Sequence, residues 1–295
     1  MLVRPALSYS HAYNANLMER LLFRAAKRWV AGYNADEAID VALETNSHGM
    51  SAILNFLGED ITDSKLVDMT VNEYLLLMDL MYARKVQGCV SVKPTQLGLT
   101  IDHNMCLQNF SRLAARARDL GQFIWLDMES VKSTEDTIAI YLDLYKQYDM
   151  VGIAIQSYLR RSASDLLHII ECGGKVRLVK GAYHESEEHI FITNEEVNAS
   201  YSKLMKMLFD SKNYFAIATH NSALIEEAIS MGKNTKFEFQ MLKGIRDDLK
   251  HELLTKGFAV AEYIPYGSQW LPYSVRRIME RKRNLLLLAR SLIQH

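Results

Sequence analysis

The sequence has little cysteine, proline and glycine, and almost no net charge. Four prolines and 14 glycines in 295 residues indicate abundant helix and short connections. The three cysteines, Cys89, Cys106 and Cys172, show no C-x-x-C spacing. They indicate neither a disulfide framework nor a thiolate zinc site, and they suit a reducing compartment. With 34 basic and 35 acidic side chains the net charge is −1, which argues against a nucleic-acid partner.

Long hydrophobic runs are absent as well. Met1 to Asn16 contain no apolar signal core, and no uncharged apolar run reaches the roughly 18 residues that a membrane-spanning helix needs. We therefore expect a cytoplasmic protein. A hydrophobic fraction of 49% with 23% charged residues is the usual globular mixture and argues against disorder.

Several common catalytic and nucleotide-binding motifs are missing. The sequence has no G-x-G-x-x-G, G-x-x-x-x-G-K-[ST], H-E-x-x-H or G-x-S-x-G. A Rossmann nucleotide site is therefore disfavoured. Nine histidines are spread along the chain without metal-ligand spacing, so we expect no metal site.

What the sequence does contain is a regular alternation of short apolar runs and amphipathic stretches, which predicts strands and helices in turn. Eight such units predict a closed α/β barrel of the (βα)8 type, with a doubly wound sheet as the alternative. The predicted strands are Ile53–Leu57, Cys89–Lys93, Gln122–Asp127, Met150–Gln156, Lys175–Lys180, Tyr214–Ala218, Lys236–Met241 and Ala259–Ile264. The predicted helices between them are Val71–Lys85, His103–Leu120, Thr134–Tyr148, Ala163–Cys172, Asn194–Asp210, Ala223–Met231 and Asp247–Thr255.

The division of the chain follows from this alternation. Residues 1–50 are expected to form an N-terminal helical segment, residues 51–284 the barrel and residues 285–295 a tail. Within the first segment, Gly32 is the expected helix stop and Asn34 the cap of the next helix. A last helix is expected from about Pro272, where it would close the C-terminal mouth of the barrel.

Polar residues concentrate at the predicted strand ends. Because the carboxyl ends of barrel strands converge on one mouth, where barrel enzymes place their chemistry, these residues predict a buried active site. They are Lys93, Asp127, Gln156, Lys180, His220, Asn221 and Gln240.

Arg276 and Arg277 stand side by side after Pro272 in the last predicted helix. Guanidinium forks match carboxylates, so at a cleft both could hold one acid group, with Tyr273 and Glu280 on the same side. A solvated basic face is the alternative, since further basic residues follow.

Two other patterns allow two interpretations each. Arg177 and Lys180 differ by three positions, so a regular strand places them on opposite faces, and Gly181 allows a backbone or flat ligand to approach. Thr219-His220-Asn221 precedes a helix, where backbone N–H groups bind phosphate or where Asn221 caps the helix.

Taken together and in order, these segments resemble the proline dehydrogenase family of flavin-dependent enzymes in its monofunctional form. The matching stretches are Asn55–Glu59, Val90–Leu99, Leu126–Glu129, Gln156–Leu159, Val176–Tyr183, Ala218–Asn221, Phe237–Leu242, Tyr263–Gly267 and Trp270–Glu280. The sequence departs from the family pattern at Ala261, Glu262 and Lys282.

The resemblance implies roles for individual residues. Arg276, Arg277 and Lys93 would clamp the carboxylate of L-proline, Asp127 would hold this basic cluster, and Glu280 would pair with an arginine of the last helix. Tyr183, Leu242, Tyr263 and Tyr273 would wall the ring, with room left at Ala182. FAD over the mouth would be contacted by Gln156, Arg177, Lys180, Gly181, Thr219, His220, Asn221 and Gln240, with Arg177 near N5 of the flavin.

The resemblance also implies the reaction. A hydride would pass from C5 of proline to N5 of FAD, giving 1-pyrroline-5-carboxylate as the first step of proline catabolism, and a quinone would take the electrons. Residues 276–295 hold six basic residues and one acid, a net +5, beside the apolar run 285–288. This tail either contacts the inner face of the cell membrane or packs on the barrel.

Two other functions fit a barrel with buried lysines. One is an aldolase-type lyase that uses Lys180 or Lys93 as a Schiff-base nucleophile. The other is a non-catalytic barrel that binds a small acid.

Overall fold

The protein forms a closed ring of eight parallel strands surrounded by helices. The structure, a computed structural model, describes residues 22–24, 26–232 and 235–275. The strands are β1 Ser51–Phe56, β2 Gly88–Val92, β3 Ile124–Leu126, β4 Val151–Gln156, β5 Val176–Val179, β6 Phe215–Ala218, β7 Glu238–Leu242 and β8 Ala259–Tyr266. The helices are α1 Ala35–Ser47, α2 Ser64–Ala83, α3 His103–Leu120, α4 Val131–Tyr145, α5 Ser162–Glu171, α6 Asn194–Asp210, α7 Ser222–Met231 and α8 Asp247–Thr255, with a 3₁₀ turn at Pro94–Leu97.

The ring is closed by pairing between its first and last strands. Ser51 to Phe56 of β1 lie opposite Ala261 to Tyr266 of β8, in parallel register. Every other strand pairs with its neighbours in chain order, so a helical crossover joins each pair as parallel strands require. The predicted (βα)8 barrel is confirmed, and the doubly wound alternative is wrong.

Three of the helices have the bounds that the sequence predicts. The helices His103–Leu120, Asn194–Asp210 and Asp247–Thr255 have the predicted bounds, and Asn34 caps α1 by accepting from Glu37 N–H. Helix α2 starts at Ser64, earlier than predicted, because the Asp63 side chain accepts from Lys65 N–H and starts the first turn.

Strand β8 continues past its predicted end, through a proline. Pro265 has no N–H to donate, yet its carbonyl accepts from Ala31 N–H at 2.8 Å and its Cα lies opposite Asn55 of β1. The strand therefore persists to Tyr266, two residues beyond Ile264.

The inside of the barrel contains one large aromatic side chain, that of Trp125, among small residues. Trp125 packs with Ile53, Ala216 and Ala261. A Cβ on Gly152 of β4 would lie 2.5 Å from the Trp125 ring, so only glycine fits there. Small residues on β4, β6 and β8 thus leave the space that Trp125 and the polar side chains above it occupy.

The chain before α1 is bonded to the chain after β8. Trp29 Nε1 donates to Ser274 Oγ at 2.9 Å, and Gly267 N–H donates to Gly32 O at 2.9 Å. Phe23, Trp29, Leu57, Trp270 and Tyr273 form a small apolar cluster around these bonds. Residues 270–275 are helical, in the region where the last helix is predicted to start.

A buried ion pair lies on the outer side of β8. Lys250 Nζ donates to Glu262 Oε1 at 2.5 Å, and the hydroxyl of Thr45 donates to Glu262 Oε2 at 2.9 Å. The side chains of Lys250 and Glu262 are 1% and 7% exposed. The acidic residue at this departure from the family pattern therefore has its own partner in α8.

Across residues 22–275, as far as the structure describes them, no helix is long and apolar enough to cross a membrane.

Candidate active site

Asp127 lies at the centre of a hydrogen-bond network at the C-terminal mouth, directly after β3. Its Oδ1 accepts from Ser91 Oγ and from Arg177 Nη1, both at 2.7 Å. Its Oδ2 accepts from the Tyr263 hydroxyl at 2.8 Å. One carboxylate thus joins side chains from β2, β5 and β8, and it fixes each of them relative to the others.

Arg177 is the buried cation of this network. Its residue is 3% exposed, Nη1 also contacts Ser91 Oγ at 2.8 Å, and Nε donates to Gln240 Oε1. The guanidinium lies 4.7 Å from the centre of the Trp125 ring, within cation–π range. Among the described residues nothing accepts from Nη2, which is buried. Two nitrogens of the guanidinium are therefore held by hydrogen bonds. The third, Nη2, is a buried donor without an acceptor among the described residues.

The acid Glu238 continues the network down the lumen. It lies two residues before Gln240 on β7, and Gln240 Nε2 donates to its Oε1. Both amide atoms of Gln240 are thus bonded within the barrel. The contact between Gln240 and a cofactor stays a prediction.

A second charged group lies beside the first. Lys93 Nζ, directly after β2, lies 2.6 Å from Glu59 Oε2, and the Tyr183 hydroxyl donates to the same oxygen at 3.4 Å. The Lys93 and Glu59 side chains are 15% and 26% exposed, so the pair is partly accessible. Glu59 therefore holds together two residues that the sequence predicts to bind substrate.

Glu129 supports the backbone next to Lys93. Its carboxylate accepts from Thr95 N–H at 2.9 Å and from the Thr95 hydroxyl at 2.7 Å. Burial raises the pKa of Glu129 from its ordinary 4.5 to about 7, against the opposing effects of the Lys93 charge and the Thr95 hydrogen bonds. The 3₁₀ turn after Lys93 is thereby attached to the β3 loop.

The predicted cofactor residues on β4 and β5 occupy the same rim. Gln156 is buried at the end of β4 and donates to Glu129 O at 2.8 Å. Lys180 follows β5 and donates to Asn198 Oδ1 of α6 at 2.6 Å, while burial lowers its pKa. Arg177 faces the lumen and Lys180 faces the helices, so the two lie on opposite faces, as their spacing predicts.

Gly181 adopts a conformation that requires glycine. Its φ is +108°, and an added Cβ would lie 2.1 Å from the Tyr158 ring. The Tyr158 side chain thus lies against Gly181 on the side where a Cβ would be. A contact between Gly181 and the cofactor stays a prediction.

The Thr219-His220-Asn221 group caps α7 and ties β6 to β7. Asn221 Oδ1 accepts from Leu224 N–H, which makes it the N-cap, and Thr219 Oγ1 accepts from Asn221 N–H. Leu242 N–H donates to His220 Nε2 at 3.0 Å, so this ring nitrogen carries no proton. The capping interpretation is confirmed; contacts with a phosphate or cofactor stay predictions.

The remaining predicted residues are less closely joined to this network. Ala182 is exposed beside Tyr183. Tyr273 is buried in the cluster with Trp29 and Trp270, and its part in the ring wall stays a prediction. Arg276, Arg277 and Glu280 lie outside the described residues.

Sequence reasoning missed four polar residues of this site, and strand periodicity could have found two. Ser91 and Lys93 share a face of β2, as Glu238 and Gln240 share a face of β7, because side chains alternate along a strand. Glu59 and Glu129 sit in loops, where no period applies, and nothing in the sequence marks their partners.

A (βα)8 barrel with anchored cations at its C-terminal mouth defines an enzyme of the barrel class that acts on a small anionic or zwitterionic ligand. A sequence model of the family described as proline dehydrogenase matches residues 38–289. Proline dehydrogenase 2 of Bacillus subtilis (strain 168) is 31% identical over 266 residues, 88% of each chain. The proline dehydrogenase of Deinococcus radiodurans is 31% identical over 289 residues, 94% of this chain and 93% of its own.

A solved structure shares the fold. Proline utilization A from Bdellovibrio bacteriovorus, inactivated by N-propargylglycine, aligns with a TM-score of 0.85 and 24% identity over 92% of this chain. The alignment spans 34% of that much longer chain.

The chain belongs to the proline dehydrogenase family. It is therefore an oxidoreductase that acts on the CH–NH group of proline, in the first step of proline catabolism. Membership implies a flavin cofactor and an electron acceptor.

Proposed function

We propose that the barrel binds FAD at its C-terminal mouth and oxidises L-proline at C5 to 1-pyrroline-5-carboxylate. The observation that carries the proposal is the fixed guanidinium of Arg177. Asp127 and Gln240 hold two of its nitrogens, and the buried Nη2 is a donor that no described residue uses. A flavin ring has the acceptor atoms such a donor requires, so the residues present fit the cofactor.

The rim beside Arg177 offers further groups for the same cofactor. Lys180 supplies a cation, and α7 starts at the rim with its N-terminal dipole. Gln156, Gly181, Thr219, His220, Asn221 and Gln240 complete the proposed contacts. Bound FAD would supply the hydride acceptor for C5 of proline.

The proposed substrate site uses the anchored cations. Lys93 binds the proline carboxylate together with Arg276 and Arg277, whose roles rest on the resemblance alone.

The proposed wall around the proline ring lies next to these cations. Asp127 orients Arg177 and the Tyr263 ring. The other wall residues are Tyr183, Leu242 and Tyr273, and Ala182 leaves space for the proline ring. Glu280 pairs with an arginine of the last helix. Cations around the carboxylate also disfavour the protonated amine, whose lone pair the oxidation needs.

An anaerobic visible spectrum tests the proposal. We expect the purified protein to be yellow and to bleach when L-proline is added without oxygen. Arg276→Ala should raise the proline concentration for half-maximal bleaching at least about tenfold, because a charge-assisted bond is lost. Arg283→Ala, in the same basic run, is the matched control. If Arg276→Ala responds to proline as the wild type does, the proposed role of Arg276 in binding the carboxylate is wrong. If proline does not bleach the wild-type protein, the proposed function is wrong.

We propose a quinone as the electron acceptor, reached at the inner face of the cell membrane through the basic tail. The tail supports this by its net +5 beside an apolar run. Deletion of residues 285–295 should abolish co-sedimentation with anionic vesicles while proline still bleaches the flavin. Unchanged co-sedimentation would eliminate the lipid contact.

Membership of the proline dehydrogenase family argues against the two other functions that the sequence leaves open, a Schiff-base lyase and a non-catalytic barrel. Burial lowers the pKa of Lys180, but its amine donates to Asn198 of α6.

A further inference from the structure

Three hydrogen-bonded side chains connect the N-terminal end of the barrel to the site. Glu238 is the first residue of β7 and accepts from Gln240 Nε2, and Gln240 Oε1 accepts from Arg177 Nε. Glu238 and Gln240 lie two residues apart, so they share the lumen face of the strand. The line ends at the guanidinium that Asp127 holds from the other side.

Glu238 determines the order of donors and acceptors along this line of side chains, Glu238, Gln240 and Arg177. An ionised carboxylate only accepts hydrogen bonds, so it binds the NH₂ end of the Gln240 amide. The carbonyl end then faces Arg177 Nε. The reversed amide would place NH₂ against the Nε–H donor and the carbonyl against the carboxylate, which leaves both contacts without a hydrogen bond.

Glu238 lies at the end of the barrel opposite to the mouth. It lines a cavity of about 460 Å³ at the N-terminal end of the barrel, together with Cys89, Trp125, Lys175 and Tyr214. Burial raises the pKa of Glu238, opposed by hydrogen bonds from Gln240 and Tyr214 and by the charge of Arg177. Burial also raises the pKa of Cys89 to about 12, so the neighbouring thiol is neutral. Glu238 therefore acts on Arg177 in two ways, by its hydrogen bond to Gln240 and by its charge.

We propose that Glu238 is a positioning residue for the oxidation, because its bond to Gln240 fixes the Arg177 guanidinium in the orientation that presents Nη2 to the flavin. The inference rests on the proposed role of Arg177. Two of its nitrogens are bonded on opposite sides, by Gln240 and by Asp127. Loss of the Gln240 bond leaves the planar group free to rotate about the remaining contacts to Asp127 and Ser91.

Removal and replacement of the acceptor test the line. Glu238→Met removes the acceptor at similar size, so the Gln240 NH₂ group loses the partner that fixes the amide. Glu238→Gln removes the charge, but its own amide can turn its carbonyl oxygen to Gln240 Nε2, so the bond from Arg177 Nε to Gln240 is kept. Tyr214→Phe is the matched control, because it removes a bond to Glu238 from outside the line.

Two readouts are measured on the FAD-loaded protein. Glu238→Met should slow anaerobic flavin reduction by proline about tenfold, with the half-saturating proline concentration unchanged within about threefold. The ¹⁵N–¹H signal of Arg177 Nε should lose its protection from solvent exchange. Glu238→Gln and Tyr214→Phe should keep both properties.

The inference is overturned if Glu238→Met keeps the wild-type reduction rate and Nε signal. It is also overturned if Glu238→Gln loses both as Glu238→Met does, because the charge and not the hydrogen bond would then act. Should Glu238→Met not fold, Glu238→Ala removes the same acceptor and carries the same expectations. The proposed function fails separately, if proline does not reduce the flavin of the wild-type protein.

Discussion

The hydroxyl of Tyr263 lies 2.8 Å from Oδ2 of Asp127, although 136 residues separate them in the chain. The bond joins β8 to the end of β3 across the mouth of the barrel. It leaves the tyrosine ring, predicted to wall the substrate, attached to the carboxylate that orients Arg177. The ring and the cation are thus positioned by one group.

Replacement of this tyrosine hydroxyl should slow the reaction without unfolding the barrel. Tyr263→Phe removes a hydrogen bond to a charged acceptor, worth about 1.5–3 kcal/mol, so we expect the rate of flavin reduction by proline to fall about tenfold or more. Stopped-flow absorbance measures it. Tyr145→Phe removes a 2.6 Å bond to Gly173 O from α4 and should keep the rate. Equal rates for Tyr263→Phe and the wild type would contradict the role of the bond.

The buried carboxyl of Glu129 should make stability depend on pH. Its pKa is about 7 in the folded protein against an ordinary 4.5, so the folded state binds the proton more tightly and stability falls as pH rises from about 4.5 to 7. The loss amounts to about 3 kcal/mol. Glu129→Gln can keep both bonds to Thr95 and removes the charge.

Urea unfolding at several pH values measures this effect. The advantage of Glu129→Gln over the wild type should grow between pH 5 and pH 8 by up to about 3 kcal/mol. A constant difference across that range would show that the buried group does not titrate there.

Loss of one member of the buried pair Lys250 and Glu262 should lower the free energy of unfolding strongly, whereas replacement of both members should lower it little. Glu262→Leu leaves the Lys250 charge with only the exposed Asp247, so we expect a loss of about 3–5 kcal/mol in the free energy of unfolding. Lys250→Met/Glu262→Leu should recover most of it, because no unpaired charge stays buried. Chemical denaturation of both variants measures the difference, and equal stabilities would contradict the argument.

Alanine substitutions at Gly181 and Gly121 distinguish the effect of backbone strain from that of a clash with a neighbouring side chain. Both have positive φ, +108° and +65°, but only at Gly181 would a Cβ meet another group, the Tyr158 ring. Gly121→Ala should cost about 1–2 kcal/mol, and Gly181→Ala more. If Gly181 also contacts the cofactor, Gly181→Ala should weaken FAD binding and Gly121→Ala should not. Thermal unfolding and fluorescence titration with FAD measure the two effects.

The barrel was predictable because its signals are local. Apolar runs mark the strands, and helix caps such as Asn34 and Asn221 act within a few residues. The same alternation predicts that Arg177 and Lys180 face opposite sides of their strand. Parallel strands also bring every polar strand end to one mouth, so Lys93 and Asp127 could be expected together before any contact was known.

The partners within the site were not predictable, because they depend on how strands are staggered around the ring. Arg177 and Gln240 are 63 residues apart, and periodicity gives the face of each but not their common height. Glu59 and Glu129 look like ordinary loop acids until Lys93 and Thr95 are placed beside them. The Tyr158 ring from the β4 loop that lies against Gly181 was not predictable either, because nothing in the sequence links the two residues.

The bonds between residues 29–32 and 265–274 have a consequence for biosynthesis. Trp29 leaves the ribosome 245 residues before its partner Ser274, so throughout most of translation this stretch has nothing to dock on. The Trp29 side chain is accessible to chaperones and proteases for that time. Residues 29–32 can form these hydrogen bonds only once β8 has joined the barrel.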